Sequence, residues 1–569
     1  MAGLIVALIA AGTLAFGAVY PWAFMPLFGA AALIGAIGLL RRSPTPRVRR
    51  VGWALLAVCV AIALQLAPAP RDLLAALSPR APGLLGAFSL TFAGDAAAWV
   101  PLTLNPASTR IALLAAGALA LFLIGISGHL TGHRLRNVPR ALAIFAVPLA
   151  LFGILSREYL VNSNLIYGFW RPQQGGGDMF GPFVNRNHFA GWMLMATCLL
   201  VGALFGQIER TLRSHAHKSG RQRRFDWLSS AEANGIVLMT ASVFVMVISL
   251  FWTLSRSAIT GFAVASVAFA WLAFRREKLG APRRAAGLAA IAAVALTGVA
   301  WRGPARLLQN FQDDRNLLSR FDAWRDGWQV VVNFPLTGTG LNTYSDAMLF
   351  FQTRNREFHL AQAHNDYLQL LAEGGLLVAV PAVVALGLFA RAVQRNLRLA
   401  RDEARGYWIR VGATVGLLAV GVQEVFEFSL QMPANALLFC TLAAVALSPA
   451  HAEPARYGRT SRDTIEFSET EPSAHCPKCK SKDLRRSRTR TRWERWRKAI
   501  TDKRPFRCRA CQWRGWLPLS AAALEQVAAQ RRSATDPPNL RGTLLARSNP
   551  RHRLDLHTLD RFDDDEKDN

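Results

Sequence analysis

The sequence predicts an all-α polytopic membrane protein with about twelve transmembrane helices, a large helical loop on one face and a small tail on the other. Three observations carry that expectation. Apolar residues make up 52% of the 569, and the mean hydropathy is +0.20. They are gathered into runs that approach the roughly 20 residues a helix needs to cross a bilayer. Lys and Arg are concentrated in alternate loops between those runs, the pattern that orients membrane helices.

Taken in order, the candidate spans are 3–20, 22–40, 51–67, 111–128, 141–156, 188–206, 234–253, 258–274, 285–301, 376–390, 411–428 and 435–449. The first starts at Leu4 with no charged stretch before it, so it reads as a helix that stays and not as a cleaved leader. Loops 41–50, 129–140, 207–233, 275–284 and 391–410 carry 25 Lys and Arg in 79 residues. The alternate set, residue 21 with 68–110, 157–187, 254–257, 302–375 and 429–434, carries 14 in 159. The first set is therefore expected in the cytoplasm, with both termini. The net charge of +29 reads as this membrane pattern plus a basic tail, and a nucleic-acid partner is not expected.

The largest outer loop, 302–375, reads as helical. Ser319 followed by Asp322 fits a capping box. Arg320, Trp324 and Trp328 share a face at i, i+4, i+8. Asn333-Phe334-Pro335 should stop that helix, and Gly338 and Gly340 allow a tight turn. Asn365 and Asp366 suit a helix start. His364, Leu368 and Leu371 then share one face, so His364 is expected at the top of a short helix, before Gly374-Gly375 interrupts the pattern. Loop 68–110, with Leu73, Leu74, Leu77 and Trp99, is expected to lie partly along the membrane surface.

After Pro449 the character changes. Residues 450–569 hold 27 Lys and Arg and 17 Asp and Glu and no spanning run. This divides the chain into a transmembrane domain, 1–449, and a cytoplasmic tail, 450–569. Cys476-Pro-Lys-Cys479 and Cys508-Arg-Ala-Cys511 are two C-x2-C knuckles separated by 28 residues. In a reducing compartment such a set favours tetrahedral structural zinc over disulfides, in a zinc-ribbon-like module at 474–516. The gap exceeds the usual ribbon spacing. Cys59, Cys198 and Cys440 lie in apolar spans and read as packing residues. The basic stretch 485–498 suits anionic lipid headgroups, and the terminal FDDDEKDN is expected to be disordered.

Several stretches carry a resemblance: PLTLNPASTR at 101–110, GPFVNRNHFAGW at 181–192, LSRSAITG at 254–261, SRFDAWRDGW at 319–328, NFPLTGTGLNTY at 333–344, HNDYLQLLAEGGLL at 364–377 and FEFSLQMPANALLF at 426–439. In this order they resemble the O-antigen ligase and polymerase superfamily of bacterial membrane proteins, from about Pro101 to Pro449. The resemblance implies a GT-C-type enzyme of the inner membrane, with 302–375 periplasmic. It implies transfer of a glycan from undecaprenyl diphosphate to a hydroxyl on a lipid or glycan acceptor, without a cofactor for catalysis. Polysaccharide polymerisation, protein O-glycosylation and small-anion (bicarbonate-like) transport are the other activities open to it. A transporter would need polar groups near mid-membrane, whereas the polar groups here gather at the outer face.

The resemblance also assigns candidates. Arg256 and Arg320 match arginines thought to engage the lipid-linked diphosphate, and guanidinium forks suit that task. Arg256 interrupts the apolar stretch 250–262, where a charge is costly; it could instead snorkel to the interface. Arg320 could instead pair with Asp322 or Asp326. Arg186 is a third candidate, with loop anchoring as its other role. His364 matches the residue regarded as activating the acceptor, and a histidine suits proton transfer near neutrality; otherwise it holds the loop to the bundle. Asn365 would orient His364 or bind sugar. His188, at the head of a span, reads as structural. Glu424 and Glu427 would pair with an arginine or bind an acceptor.

Overall fold

The computed structural model describes residues 2–95, 97, 99–159, 165–172, 178–214, 231–276, 309, 315–354, 356–357, 359–449 and, in the tail, 476–479, 484–487, 491, 493–494, 503–508 and 510–518. The chain forms two compact units, Met1–Ala455 and Arg456–Asn569.

The first unit is a helical bundle. Its helices are α1 (Ala2–Leu14), α2 (Pro21–Arg41), α3 (Pro46–Gln65), the short α4 (Arg71–Leu77), α5 (Ala81–Phe88) and α6 (Leu90–Gly94), then α7 (Pro106–Ser127), α8 (Gly132–Tyr159), α9 (Arg186–Ser214), α10 (Ala231–Trp252), α11 (Arg256–Phe274), α12 (Arg315–Asn333), α13 (Tyr344–Phe351), α14 (Asp366–Leu399), α15 (Ala404–Gln423) and α16 (Pro433–Leu447). Eight of them, α2, α3, α7 to α11 and α14, are long and apolar enough to cross a membrane; α1 and α16 are shorter apolar helices. The expected span 285–301 and the terminal FDDDEKDN lie outside the described residues, as does most of 485–498.

Local chemistry explains the helix starts. Thr45 and Asn105 cap α3 and α7 by accepting from Val48 N–H and from Ala107 and Ser108 N–H, each with Pro at the first helical position, where its missing N–H costs nothing. The first span is shorter than expected. It stops at Leu14, and Phe16, Gly17 and Ala18 all take positive φ. That break lets Phe183 pack where a Cβ on Gly17 would stand, 2.8 Å away.

Helix α9 is the axis of the bundle. Within its apolar window 89% is buried, against 28–39% for the other seven spans. It lies against α15 at backbone contact: a Cβ on Gly202 would stand 2.3 Å from Trp408 O and 2.6 Å from Gly412 Cα. Small residues at such crossings let membrane helices approach closely enough for dispersion to hold them.

The 302–375 loop departs from expectation at three places. Helix α12 is described from Arg315, so Ser319 is interior and caps nothing; Asp322 pairs with Arg354 at 3.2 Å instead. The helix ends at Asn333, as Phe334-Pro335 requires. His364 does not head a helix: it precedes the N-cap Asn365 and has φ +49. Nor is the helix short. α14 runs 34 residues, through a kink at Gly375 (φ 54, ψ −165). The kink is where the loop docks. Leu376 and Leu377 N–H donate to Pro335 and Leu336 O, while Thr339 and Gly340 N–H donate to Ala372 and Glu373 O. Glu373, in the same turn, accepts from Asn342 N–H (2.7 Å) and Tyr344 N–H (2.9 Å). The loop is thus fixed to the bundle by backbone bonds that a straight helix would have kept for itself.

In the 68–110 loop, Leu74 is buried, whereas Leu73 and Trp99 are exposed. Two-residue strands β1 (Pro68–Ala69) and β2 (Val100–Pro101) close this loop antiparallel.

The second unit contains the antiparallel sheet β3 (Leu484–Arg486), β4 (Lys503–Cys508) and β5 (Arg514–Pro518), in that order. Phe506 is buried within it, and Arg514 holds Glu494 through both carboxylate oxygens, at 2.7 and 3.0 Å.

Candidate active site

Four segments distant in sequence meet around one carboxylate. Helix α15 ends at Gln423, earlier than the expected span end at 428, and Glu424 and Glu427 lie in the turn beyond it. Glu427 is 1% exposed. Its Oε1 accepts from Asn187 Nδ2, in the first turn of α9, at 2.8 Å. The same oxygen accepts from Arg320 Nη2, on α12. Its Oε2 faces His364 Nδ1 at 3.9 Å. Arg320 therefore pairs with Glu427, not with Asp322 or Asp326. Asp326 is occupied elsewhere, accepting from Thr353 N–H (2.9 Å) and Thr353 Oγ1 (2.7 Å).

The His364 segment is held to this turn from several directions. Asp366 N–H donates to Glu424 O at 3.1 Å. Gln431 Nε2 donates to Asp366 Oδ1 at 2.7 Å, and the Tyr367 hydroxyl donates to Gly421 O at 2.6 Å. Asn365 Oδ1 accepts from Tyr367 and Leu368 N–H, at 3.1 and 3.0 Å. Asn365 is thus the N-cap of α14, and it orients His364 through the backbone, by fixing where the helix begins. A left-handed backbone costs a non-glycine residue energy. Here the capped helix on one side and the tether to Glu424 on the other impose it.

The rings of His364 and His188 both stand edge-on to Phe428, with centroids 4.9 and 4.7 Å from it. The two histidines differ in access. His188 is 5% exposed, and its carbonyl accepts from Asn435 Nδ2 at 2.9 Å, a packing role. The His364 side chain is 34% exposed. Its Nδ1 and Glu427 Oε2 have no hydrogen-bond partner among the described residues. They face each other at a separation too long for a hydrogen bond and short enough for an imidazolium–carboxylate attraction.

The remaining candidates are placed as follows. Arg186 opens α9 and faces Asp178 at 3.6 Å, while its N–H donates to Asp178 O at 2.7 Å. It anchors the loop before α9; its neighbour Asn187 is the residue that reaches Glu427. Arg256 is half-buried in the first turn of α11, after a turn in which Leu254 takes φ +54. Asn187 and the His364-facing role of Glu427 are what the sequence reading missed. The available signal was two acidic residues, Glu424 and Glu427, closing an apolar run, since charge at such a position is costly unless used.

In the tail, Cys476, Cys479, Cys508 and Cys511 place their sulfurs within 4.8 Å of one another. The Cys476–Cys511 and Cys479–Cys508 separations are both 3.6 Å. A disulfide needs about 2.05 Å. A tetrahedron with metal–sulfur bonds of about 2.3 Å has edges of about 3.8 Å, so the four fit a metal ion. Burial alone would raise the Cys476 thiol; N–H groups of Cys479 and Lys478, with the neighbouring cysteines, outweigh it and bring the thiol down to about 7. That favours the thiolate a metal needs.

A search of the curated proteins finds no match to the sequence. Residues 241–383, which include Arg256, α12 and the His364 segment, match the family model described as O-antigen ligase. The match spans about a quarter of the chain and takes in Arg320 and His364, while Asn187 and Glu427 lie outside it; over that stretch the chain is similar to the O-antigen ligase family.

Proposed function

We propose that the protein is an O-antigen ligase-like glycosyltransferase, which moves a glycan from undecaprenyl diphosphate to an acceptor hydroxyl at the periplasmic face of the inner membrane. The coarser reading, a membrane glycosyltransferase of the ligase and polymerase type, follows from the family match. The finer one rests on a single observation: His364, a third exposed, is backed by the buried carboxylate Glu427. An imidazole so backed can take a proton, because the carboxylate stabilises the imidazolium that forms.

In this reading the acceptor O–H gives its proton to His364 Nε2, and its oxygen bonds to the anomeric carbon. The bond from that carbon to the phosphate oxygen breaks, and the electron pair leaves with the diphosphate. Arg320 and Arg256 are the candidates to neutralise the leaving group. Arg320 also holds Glu427, so it links leaving group and base in one charge network. Charge on the diphosphate grows as the bond breaks, and these contacts then strengthen in the transition state. Arg186, already engaged by Asp178, is a weaker candidate for that role. Orientation with both termini in the cytoplasm is part of the same proposal and is supported by the loop charges.

The test uses purified full-length protein with a lipid-diphosphate glycan donor. His364→Ala should lower turnover by roughly 10²–10⁴-fold, the contribution of a positioned base, while donor binding is retained. Near-normal turnover would return His364 to a purely structural role. In the tail we propose structural zinc on Cys476, Cys479, Cys508 and Cys511. Cys476→Ser with Cys479→Ser should abolish stoichiometric zinc in the purified protein, as read by elemental analysis, without lowering transfer per folded molecule. Zinc retained in that variant would refute the site.

A further inference from the structure

Helix α12 has two faces with different fates. Ala323, Asp326, Gly327 and Val330, at i, i+3, i+4, i+7, are buried and pack the loop's own core. The opposite face carries Phe321, Trp324, Arg325, Trp328 and Gln329, at i, i+3, i+4, i+7, i+8. With Asn365 and Leu368 from the start of α14, these five residues line an open cavity of about 610 Å³, within the range of small-molecule sites. On this face Trp324 packs against Phe321 and Phe426, whereas much of Phe321 and Trp328 stays outside any packing. Phe321 and Trp328 are 48% and 52% exposed.

Polar groups are interleaved with these rings. Arg325 makes no ion pair and Gln329 uses no side-chain atom in a hydrogen bond among the described residues. The Nδ2 of Asn365 is likewise unpartnered, since the cap uses only Oδ1. The Nε1 of Trp324 has no acceptor among the described residues. Trp324 lies against Phe426 at 5.6 Å between centroids, and Phe426 and Asn365 are the chain neighbours of Glu427 and His364.

We infer that this wall is a sugar-binding cradle: it seats a pyranose of the glycan substrate beside His364, with Trp328 under the ring and Arg325, Gln329 and Asn365 on its hydroxyls. A pyranose has an apolar C–H face and an equatorial rim of hydroxyls. The first complements the electron-rich face of an indole, and the second needs donors and acceptors set around that indole. The aromatics are interleaved with a guanidinium and two carboxamides, and Leu368 is the one aliphatic side chain in the lining. The inference rests on the transferase reading only for which molecule brings the sugar.

The probe is a set of lipid-free oligosaccharides released by mild acid from the host's own surface polysaccharide. Binding to full-length protein in nanodiscs is followed by tryptophan fluorescence and saturation-transfer NMR, with no transfer required. Saturable binding is expected, with the sugar C–H protons receiving the transfer. Trp328→Ala should weaken it at least tenfold, and Trp328→Phe should restore most of it because a flat ring remains. Trp328→Leu should not restore it. Gln329→Ala gives a second arm that leaves the rings in place, with a smaller loss. Undecaprenyl phosphate without sugar should not displace the oligosaccharide. No oligosaccharide binding, equal binding in the Trp328→Ala protein, full rescue by Leu, or displacement by the sugarless lipid would each overturn the cradle. Oligosaccharide binding at the cradle in a protein that transfers no glycan would instead overturn the transferase reading.

Discussion

Two buried glutamates, Glu209 and Glu427, are each 1% exposed and each hold an arginine. They close opposite ends of the same packed helices, and they are finished differently. Glu209, near the end of α9, takes Arg276 through both carboxylate oxygens, at 2.8 and 2.9 Å, and accepts from Trp408 Nε1 at 2.5 Å as well. Arg276 also donates to Arg401 O at 2.9 Å and lies over the Tyr407 ring at 4.1 Å. Both oxygens and the guanidinium are occupied, as a structural ion pair requires once it is taken out of water. Glu427 accepts from both Asn187 and Arg320 on one oxygen and turns the other toward His364, a third exposed, without reaching hydrogen-bond distance. Burial and pairing alone therefore do not distinguish the two carboxylates; in the proposed mechanism the difference is that the unspent oxygen of Glu427 faces His364.

The sharpest way to break this comparison is at the finished pair. Arg276→Ala leaves Glu209 buried with its main partner gone, which should destabilise the protein by about 3–5 kcal/mol. The expected readout is a large fall in the thermal midpoint of the detergent-solubilised protein, with transfer per folded molecule near normal. Replacing both partners by apolar residues, Glu209→Leu with Arg276→Met, should recover much of the stability. Were Arg276→Ala to cost turnover in folded protein while the midpoint held, the two clusters would not differ in kind.

The open pair should respond the other way. Glu427→Gln keeps shape and an acceptor but removes the charge that stabilises an imidazolium. We expect kcat to fall by roughly 10–10²-fold, below the loss for His364→Ala because the base itself remains, with the KM for donor little changed. A matching fall in both kcat and folded yield would assign Glu427 to the same structural class as Glu209.

How far these two ends were legible in the sequence follows from the range of the signals. Helix positions came from hydropathy, and the N-cap at Asn365 and the stop at Asn333 came from short-range chemistry; the structure has both. The capping box at Ser319 failed because a favourable pattern of four residues cannot reveal that the helix has already begun. Placing His364 on a helical face failed because periodicity assumes helical φ, and the φ of +49 is imposed by tethers to Glu424, Gly421 and Gln431. Glu424 and Glu427 were legible as acidic groups at the end of a span, set to pair with an arginine or to bind an acceptor. That Glu427 also faces His364 is a contact across 63 residues of chain, and no local pattern encodes it. Asn187 was overlooked for its neighbour Arg186, the more conspicuous charge.

Asn187 provides the smallest and most discriminating effect. Its Nδ2 is one of two donors to Glu427 Oε1; among the described residues it makes no hydrogen bond to His364 and does not line the cavity of α12. Its backbone carbonyl accepts from Gln423 Nε2 at 3.0 Å, so truncating the side chain leaves that link intact. Asn187→Ala removes one hydrogen bond to a charged group, worth about 1.5–3 kcal/mol, while Arg320 still holds the same oxygen. If Glu427 must be steered to keep Oε2 on His364, the carboxylate will rotate toward Arg320 and kcat should drop about tenfold, with a smaller fall in the thermal midpoint than Arg276→Ala causes. Asn187→Asp should be worse than Ala, because it sets a second negative charge against Glu427. Equal activities for the Ala and Asp variants would mean that the orientation of Glu427 does not matter to turnover, and the distinction between the two ends of the bundle would then rest on His364 alone.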